Sequence, residues 1–198
     1  LLWLAFGLWR MISLLPYGVL LQLGKGIGLL VHSFPSRRKT IALRNIQLCF
    51  PNLRDQEHRA MLRSNLINVG TALMEVGIAW WWPKKRFSKL LQFEGLEHLE
   101  AHKGRGLMLL GIHYTTLEIG AAAISSVFQM DGMYRAHGNP VYDFLQARGR
   151  LDKGIGNGVV YERRDVRGTM KALKSGRSLW YGPDQDYGLG QGLSLIHI

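Results

Sequence analysis

The chain has 198 residues, enough for one ordinary domain with a sizeable core, and 47% of them are hydrophobic, which excludes a disordered chain. A single cysteine, Cys49, excludes an internal disulfide or a multi-thiolate zinc site and fits a reducing compartment. The formal net charge is +11 and no Asp or Glu precedes Asp55, so the N-terminal part is a basic surface that seeks phosphate in some form.

Residues 1–31 are mostly apolar, interrupted by Arg10, Pro16, Gln22 and Lys25. No uninterrupted apolar run of about 18 residues exists here, so a clean spanning helix is not defined. The chain opens on Leu1 and is read as beginning inside a longer protein, with residues 1–9 as the end of a spanning helix or the whole segment lying on a membrane surface. A buried helix pair is the alternative. Arg37, Arg38, Lys39 and Arg44 follow, beside Leu-, Trp- and Gly-rich stretches. That company favours an anionic membrane over nucleic acid as the partner.

The spacing predicts a helix carrying Ile41, Asn45 and Leu48 on one face, ended by Pro51. A long helix is predicted from Asp55, as N-cap, to Ala79, with Leu62, Leu66, Val69, Leu73 and Val76 as its buried stripe. It runs into Trp80, Trp81 and Trp82, then Lys84, Lys85 and Arg86. This sequence fits a membrane contact, with aromatic rings at headgroup level and cations on phosphates. It fits a core tryptophan cluster ending at a solvated basic turn equally well.

From Phe93 the pattern changes. A polar helix and loop lead to LMLLGI, read as a fully buried strand. Helices are predicted over 115–127, 140–150 (opened by Asn139-Pro140) and 167–174, and strands over 129–134 and within SLWYGPDQDYG, with a glycine-rich loop and a short strand over 151–160. Strands alternating with helices define an α/β sheet. GKGIG and GIGNG do not complete a dinucleotide fingerprint.

GIHYTTLEIG is the stretch that carries chemistry. His113 falls at the carboxyl end of the LMLLGI strand, where ligands bind in open α/β sheets, and Glu118 falls in the first turn of the next helix. A histidine there acts as a general base, and a carboxylate fixes its tautomer. Two roles are open to Glu118: partner of His113, or the far half of a capping box with Thr115. No serine or cysteine nucleophile adjoins His113, so its expected task is to deprotonate a substrate hydroxyl. His98 and His102 are read as solvated residues, and no metal site is expected.

GIHYTTLEIG resembles the H-x4-E block of the bacterial lipid A late acyltransferases, the lauroyl, palmitoleoyl and myristoyl transferase family. RRKTIALRNIQLCFP, ALMEVGIAWWWP, YRAHGNPVYDFLQARGR and GTMKALKSGRSLWYGPDQDYG agree with it in order, over about residues 8–188. The set is most similar to the lauroyl-type member. The resemblance implies N-terminal membrane-associated helices (1–31) followed by an α/β acyltransferase domain (32–192). It implies transfer of a fatty acyl chain from acyl carrier protein to a hydroxyl of an acylated lipid A precursor. The expected place is the cytoplasmic face of the Gram-negative inner membrane, with no cofactor beyond the acyl donor. It implies His113 and Glu118 as the catalytic pair, and Arg150 and Asp184 as functionally important residues, read as substrate-binding or oxyanion-stabilising. The pattern departs from the family after Gly188, so the domain is read as truncated and residues 193–198 as a non-native tail. The rival readings are a glycerophosphate-type acyltransferase, whose Asn-His and Glu-Gly-Thr-Arg signatures are missing here, and a catalytically silent membrane-binding module.

Overall fold

A computed structural model describes residues 2–184; the tail 193–198 lies outside the described residues. The N-terminal half is helical: α1 (Leu2–Ser13), α2 (Tyr17–Ser33), α3 (Arg37–Cys49) and α4 (Asp55–Trp81), then the short α5 (Lys84–Phe87), a 3-10 turn (Ser88–Leu90) and α6 (Leu96–Glu100). The C-terminal half alternates β1 (Met108–Leu110), α7 (Leu117–Val127), β2 (Asp131–Tyr134), α8 (Pro140–Asp152), β3 (Val160–Glu162), α9 (Val166–Lys174) and β4 (Leu179–Tyr181). The four strands form one parallel sheet in the order β1-β4-β2-β3. The α/β architecture thus follows the expected alternation. β1 is an edge strand, and its Met108 and Leu110 are 49% and 69% exposed, so the fully buried strand expected from LMLLGI is not found.

The helix starts show why the chain folds locally as it does. Asn139 Oδ1 accepts from the Val141 and Tyr142 N–H groups, and Pro140 occupies the first position of α8, where its missing N–H costs nothing. Asp165 accepts from the Gly168 N–H at the start of α9. At α4 the N-cap position belongs to Arg54 rather than Asp55, because Glu57 accepts from the Arg54 backbone N–H at 2.8 Å. That bond pulls the helix start back by one residue.

α4 is the central strut. Its buried face runs through Leu62, Leu66, Gly70, Met74, Gly77 and Ile78, whereas Val69 and Leu73 are 51% and 43% exposed. The expected stripe of large apolar residues is therefore displaced along the helix. The reason is the contact with α2, where Gly24 and Gly28 meet Gly70. A Cβ on Gly70 would stand 2.2 Å from the Gly24 carbonyl oxygen and 2.6 Å from the Gly28 nitrogen. Backbone-to-backbone approach at this distance selects glycine, so the contact face follows the small residues. GKGIG is thus part of a helix–helix seam, and GIGNG belongs to the loop between α8 and β3.

The tryptophans close the core. Trp80 and Trp82 are 3% and 2% exposed, and Trp81 is half-buried against Trp9, its ring centroid 4.9 Å away. Trp82 Nε1 donates to the Ser13 carbonyl at the end of α1. Arg86 donates to the Leu14 and Leu15 carbonyls and lies 3.6 Å over the Trp82 ring. Lys84 donates to the Gly154 carbonyl, and Lys85 is exposed. Trp80 and Trp82 are therefore core rather than a headgroup belt. The physical cause is that each indole N–H finds a protein acceptor only by turning inward.

α1 and α2 pack on α4 through Ser13, Leu20, Gly24 and Gly28. Their outer faces carry Leu4 (77% exposed), Leu8, Met11, Leu30 and Phe34, and the exposed Ile41 and Leu48 of α3 lie further on. Among the described residues no helix is long and apolar enough to cross a membrane.

Candidate active site

All four strands end beside one cavity. The backbone of β1 continues past Leu110 through a Gly111 N–H to Tyr181 carbonyl bond of 2.8 Å, and His113 follows two residues later. The next strand in the sheet, β4, ends at Tyr181, and Gly182, Pro183 and Asp184 follow. The two strand ends bring together residues 71 apart in sequence. His113 Nδ1 lies 2.6 Å from Asp184 Oδ1, and the His113 backbone N–H donates to Asp184 Oδ2 at 2.7 Å.

This two-point hold decides the chemistry of the ring. The His113 side-chain bond first, and its backbone N–H second, hold the Asp184 carboxyl below the usual carboxylate range. An ionised carboxylate accepts from Nδ1–H, which leaves Nε2 as the basic nitrogen. Gly182 makes room for the ring, since a Cβ there would stand 2.7 Å from His113 Cε1.

Glu118 is placed elsewhere. It sits in the first turn of α7 and accepts from Arg150, with Nε 3.0 Å from Oε1 and Nη2 bonded to the same oxygen. The indole N–H of Trp80 donates to Oε2 at 2.9 Å. The carboxylate that touches His113 is thus Asp184, across strands, and not Glu118, the partner that the family resemblance implies. Glu118 does not close a capping box with Thr115 either: Thr116 occupies the N-cap position, and the carboxylate turns inward to Arg150 and Trp80. Arg150 stands in the last turn of α8, beside Gly149. A Cβ on Gly149 would lie 2.4 Å from Trp80 Cγ, so the glycine lets the indole slide under α8 to reach Glu118.

The cavity has a volume of about 470 Å³. Its lining includes His113, Glu118, Arg150, Tyr134, Arg135 and Arg163. Its wall runs down β2 to Met130 and Asp131, and between Ala79, Leu117, Ala122 and Leu151. Polar and apolar side chains share the lining, which suits an amphipathic ligand. Asp131, also in the lining, is 1% exposed and is held by Arg177 and by the Val159 N–H at 2.9 Å. The Trp80–Glu118 bond, the Asp131–Arg177 lock and the arginines that follow β2 and β3 were not singled out from sequence. The rule that ligands gather at the carboxyl ends of parallel strands points to the two arginines, once the strands are known.

A histidine paired with a carboxylate at the carboxyl ends of a parallel sheet, beside a cavity lined by both polar and apolar side chains, defines a candidate α/β active site. The sequence comparison narrows the class. The profile of the family described as bacterial lipid A biosynthesis acyltransferase matches residues 1–195, and the chain belongs to that family. It is 43% identical to the lipid A biosynthesis lauroyltransferase of Escherichia coli K12 over 189 residues, and 39% identical to the palmitoleoyltransferase of the same strain. Each alignment covers 94% of this chain and 60% of the relative. The E. coli lipid A biosynthesis myristoyltransferase is 30% identical over 175 residues, which is 86% of this chain and 52% of the relative. The chain thus spans about 60% of the length of these two curated relatives.

Proposed function

We propose that this chain carries the active site of an acyltransferase that moves a fatty acyl group, lauroyl in the first instance, from acyl carrier protein to a hydroxyl of an acylated lipid A precursor. The observation that carries the reading is the His113–Asp184 pair, whose histidine lines a half-apolar cavity. His113 Nε2 takes the proton of the acceptor hydroxyl as its oxygen attacks the thioester carbonyl. The carbonyl oxygen becomes an oxyanion, for which the backbone N–H groups opening α7 are suitable donors. The intermediate collapses, the C–S bond breaks, and the leaving thiolate recovers the proton from the imidazolium. The apolar wall takes the acyl chain. Arg150, tied to Glu118, supports the wall of the site rather than the histidine.

The test is an acyl-transfer assay on the full-length enzyme carrying this sequence. Lauroyl and palmitoleoyl carrier protein are offered as donors with a tetra-acylated lipid A precursor as acceptor. Transfer by the wild type, with a loss of about 10²-fold or more in the His113→Ala variant at unchanged circular dichroism, is expected. A folded wild type that transfers nothing would return the weight to a membrane-binding module or a different acceptor.

The same reading puts the enzyme on the cytoplasmic face of the inner membrane. The support is the exposed apolar face of α1, with Leu4, Leu8 and Met11 at helical spacing, next to Arg10, Lys25 and the Arg37–Lys39 run. Leu4→Asp with Leu8→Asp is expected to weaken binding to vesicles containing phosphatidylglycerol by about tenfold or more. Binding that stays the same would move the membrane contact off this face.

A further inference from the structure

We propose that the outward face of α9 is the docking surface for the acidic carrier protein that brings the acyl donor; the inference rests on the acyltransfer reading above. Thr169 and Ala172 turn one side of α9 into the protein, at 6% and 5% exposure. The other side is open. Val166 and Met170 are 60% and 47% exposed, and Arg167, Lys171 and Lys174 are exposed beside them. Val166 and Met170 are four apart, and the three cations follow at steps of four and three, so each set forms a stripe along the helix.

The cationic stripe does little for the helix itself. Every position three or four residues from these cations holds Arg, Lys, Met, Gly or Ser, so none makes a helical pair with Asp or Glu. Like charges at that spacing are destabilising. Lys171 and Lys174 gain from the helix dipole at the last turn, but Arg167 stands in the first turn, where the dipole favours an anion. Glu162 and Asp165 keep their charge at the start of α9. Counting both, residues 162–174 still carry five cations against two anions.

Two parallel stripes, one cationic and one apolar, fit an acidic protein surface that sets carboxylates beside a few apolar side chains. A membrane needs a broader apolar face, which α1 supplies with Leu4, Leu8 and Met11 and α9 does not. The place of α9 fits the donor. Arg163 lines the cavity that His113 lines, and the chain passes through Arg164 and Asp165 into α9. The helix therefore starts at the carboxyl ends of the strands, on the side of the molecule where the thioester must arrive.

Kinetics on the full-length enzyme test the face with two donors: the acyl carrier protein, and the same acyl group on pantetheine, which has the thioester without the acidic protein. Arg167→Glu with Lys171→Glu is expected to raise KM for the carrier-protein donor by about tenfold or more, with kcat changed less than about threefold and no change with the pantetheine donor. In the wild type kcat/KM for the carrier protein should fall with added salt, and in this variant less steeply. Arg167→Gln with Lys171→Gln removes the charges without reversing them and should fall between. Unchanged KM for the carrier protein, or the same rise with both donors, would overturn the docking face. A large drop in melting temperature in both variants would mean that the rest of the full-length chain covers α9, and would overturn it too. So would weaker binding to phosphatidylglycerol vesicles with the carrier-protein KM unmoved, which would give the face to the membrane. Fluorescence anisotropy of labelled, unacylated carrier protein reads docking without turnover, and the charge-reversed variant should bind it about tenfold more weakly. A wild type that binds the carrier through α9 yet transfers nothing from either donor would sink the acyltransfer reading and keep the face. Transfer with carrier binding and KM untouched by the variant would do the reverse.

Discussion

The Asp184→Asn enzyme is expected to lose on the order of 10³–10⁴ in kcat, the scale seen when a histidine base loses the carboxylate that fixes its tautomer. The side chain keeps its shape, so the backbone N–H of His113 can still find the amide oxygen. The ring bond is what changes. An amide presented to Nδ1 either offers its NH₂ group, which forces the proton to Nε2, or holds no charge to steady the imidazolium. In both cases Nε2 stops being a competent base. Asp184 is solvent-accessible, so its loss should leave the melting temperature nearly unmoved. The informative comparison is kcat against melting temperature in the same preparation, together with the proton NMR resonance of the His113 Nδ1–H, which should vanish. A variant with wild-type kcat would mean that Asp184 only tethers the loop carrying His113.

That Asp184 holds this position illustrates where sequence reasoning stops. His113 was legible because a short apolar run ending in histidine has one sensible place in an α/β sheet. Asn139 and the α8 start were legible for the same local reason: a cap is chemistry between residues two or three apart. The identity of the histidine's partner was not, because the sequence offers Glu118 five positions away and the sheet offers Asp184 across the β1–β4 pair. The resemblance marked Asp184 as important without saying what it touches. The face of α4 was misread for a related reason. Hydrophobic periodicity weighs large side chains, whereas the α2 seam is set by how closely two backbones approach, and that is decided by Gly24, Gly28 and Gly70. The tryptophans after α4 read equally well as belt or core, and the acceptors that turn them inward, the Glu118 carboxylate and the Ser13 carbonyl, are supplied by distant segments.

Glu118→Gln is expected to destabilise the fold by about 2–3 kcal/mol, because it leaves the Arg150 guanidinium largely shielded from water with no counter-charge. The pair is 24% and 15% exposed, which takes the expected cost below that of a fully buried pair. The Trp80 N–H keeps an acceptor in the amide oxygen, so the loss isolates the ion pair. Adding Arg150→Met to Glu118→Gln should recover most of the stability, since the stranded charge is then gone and the methionine fills its path along the cavity wall. Denaturant unfolding of the two single variants and the double variant measures the coupling directly. Activity across the same cycle then distinguishes two jobs for Glu118. If it only braces the wall, kcat should return with stability in the double variant. If a charge at this point acts on the reacting atoms, kcat stays low in a protein that is otherwise restored, and the catalytic centre extends beyond the His113–Asp184 pair.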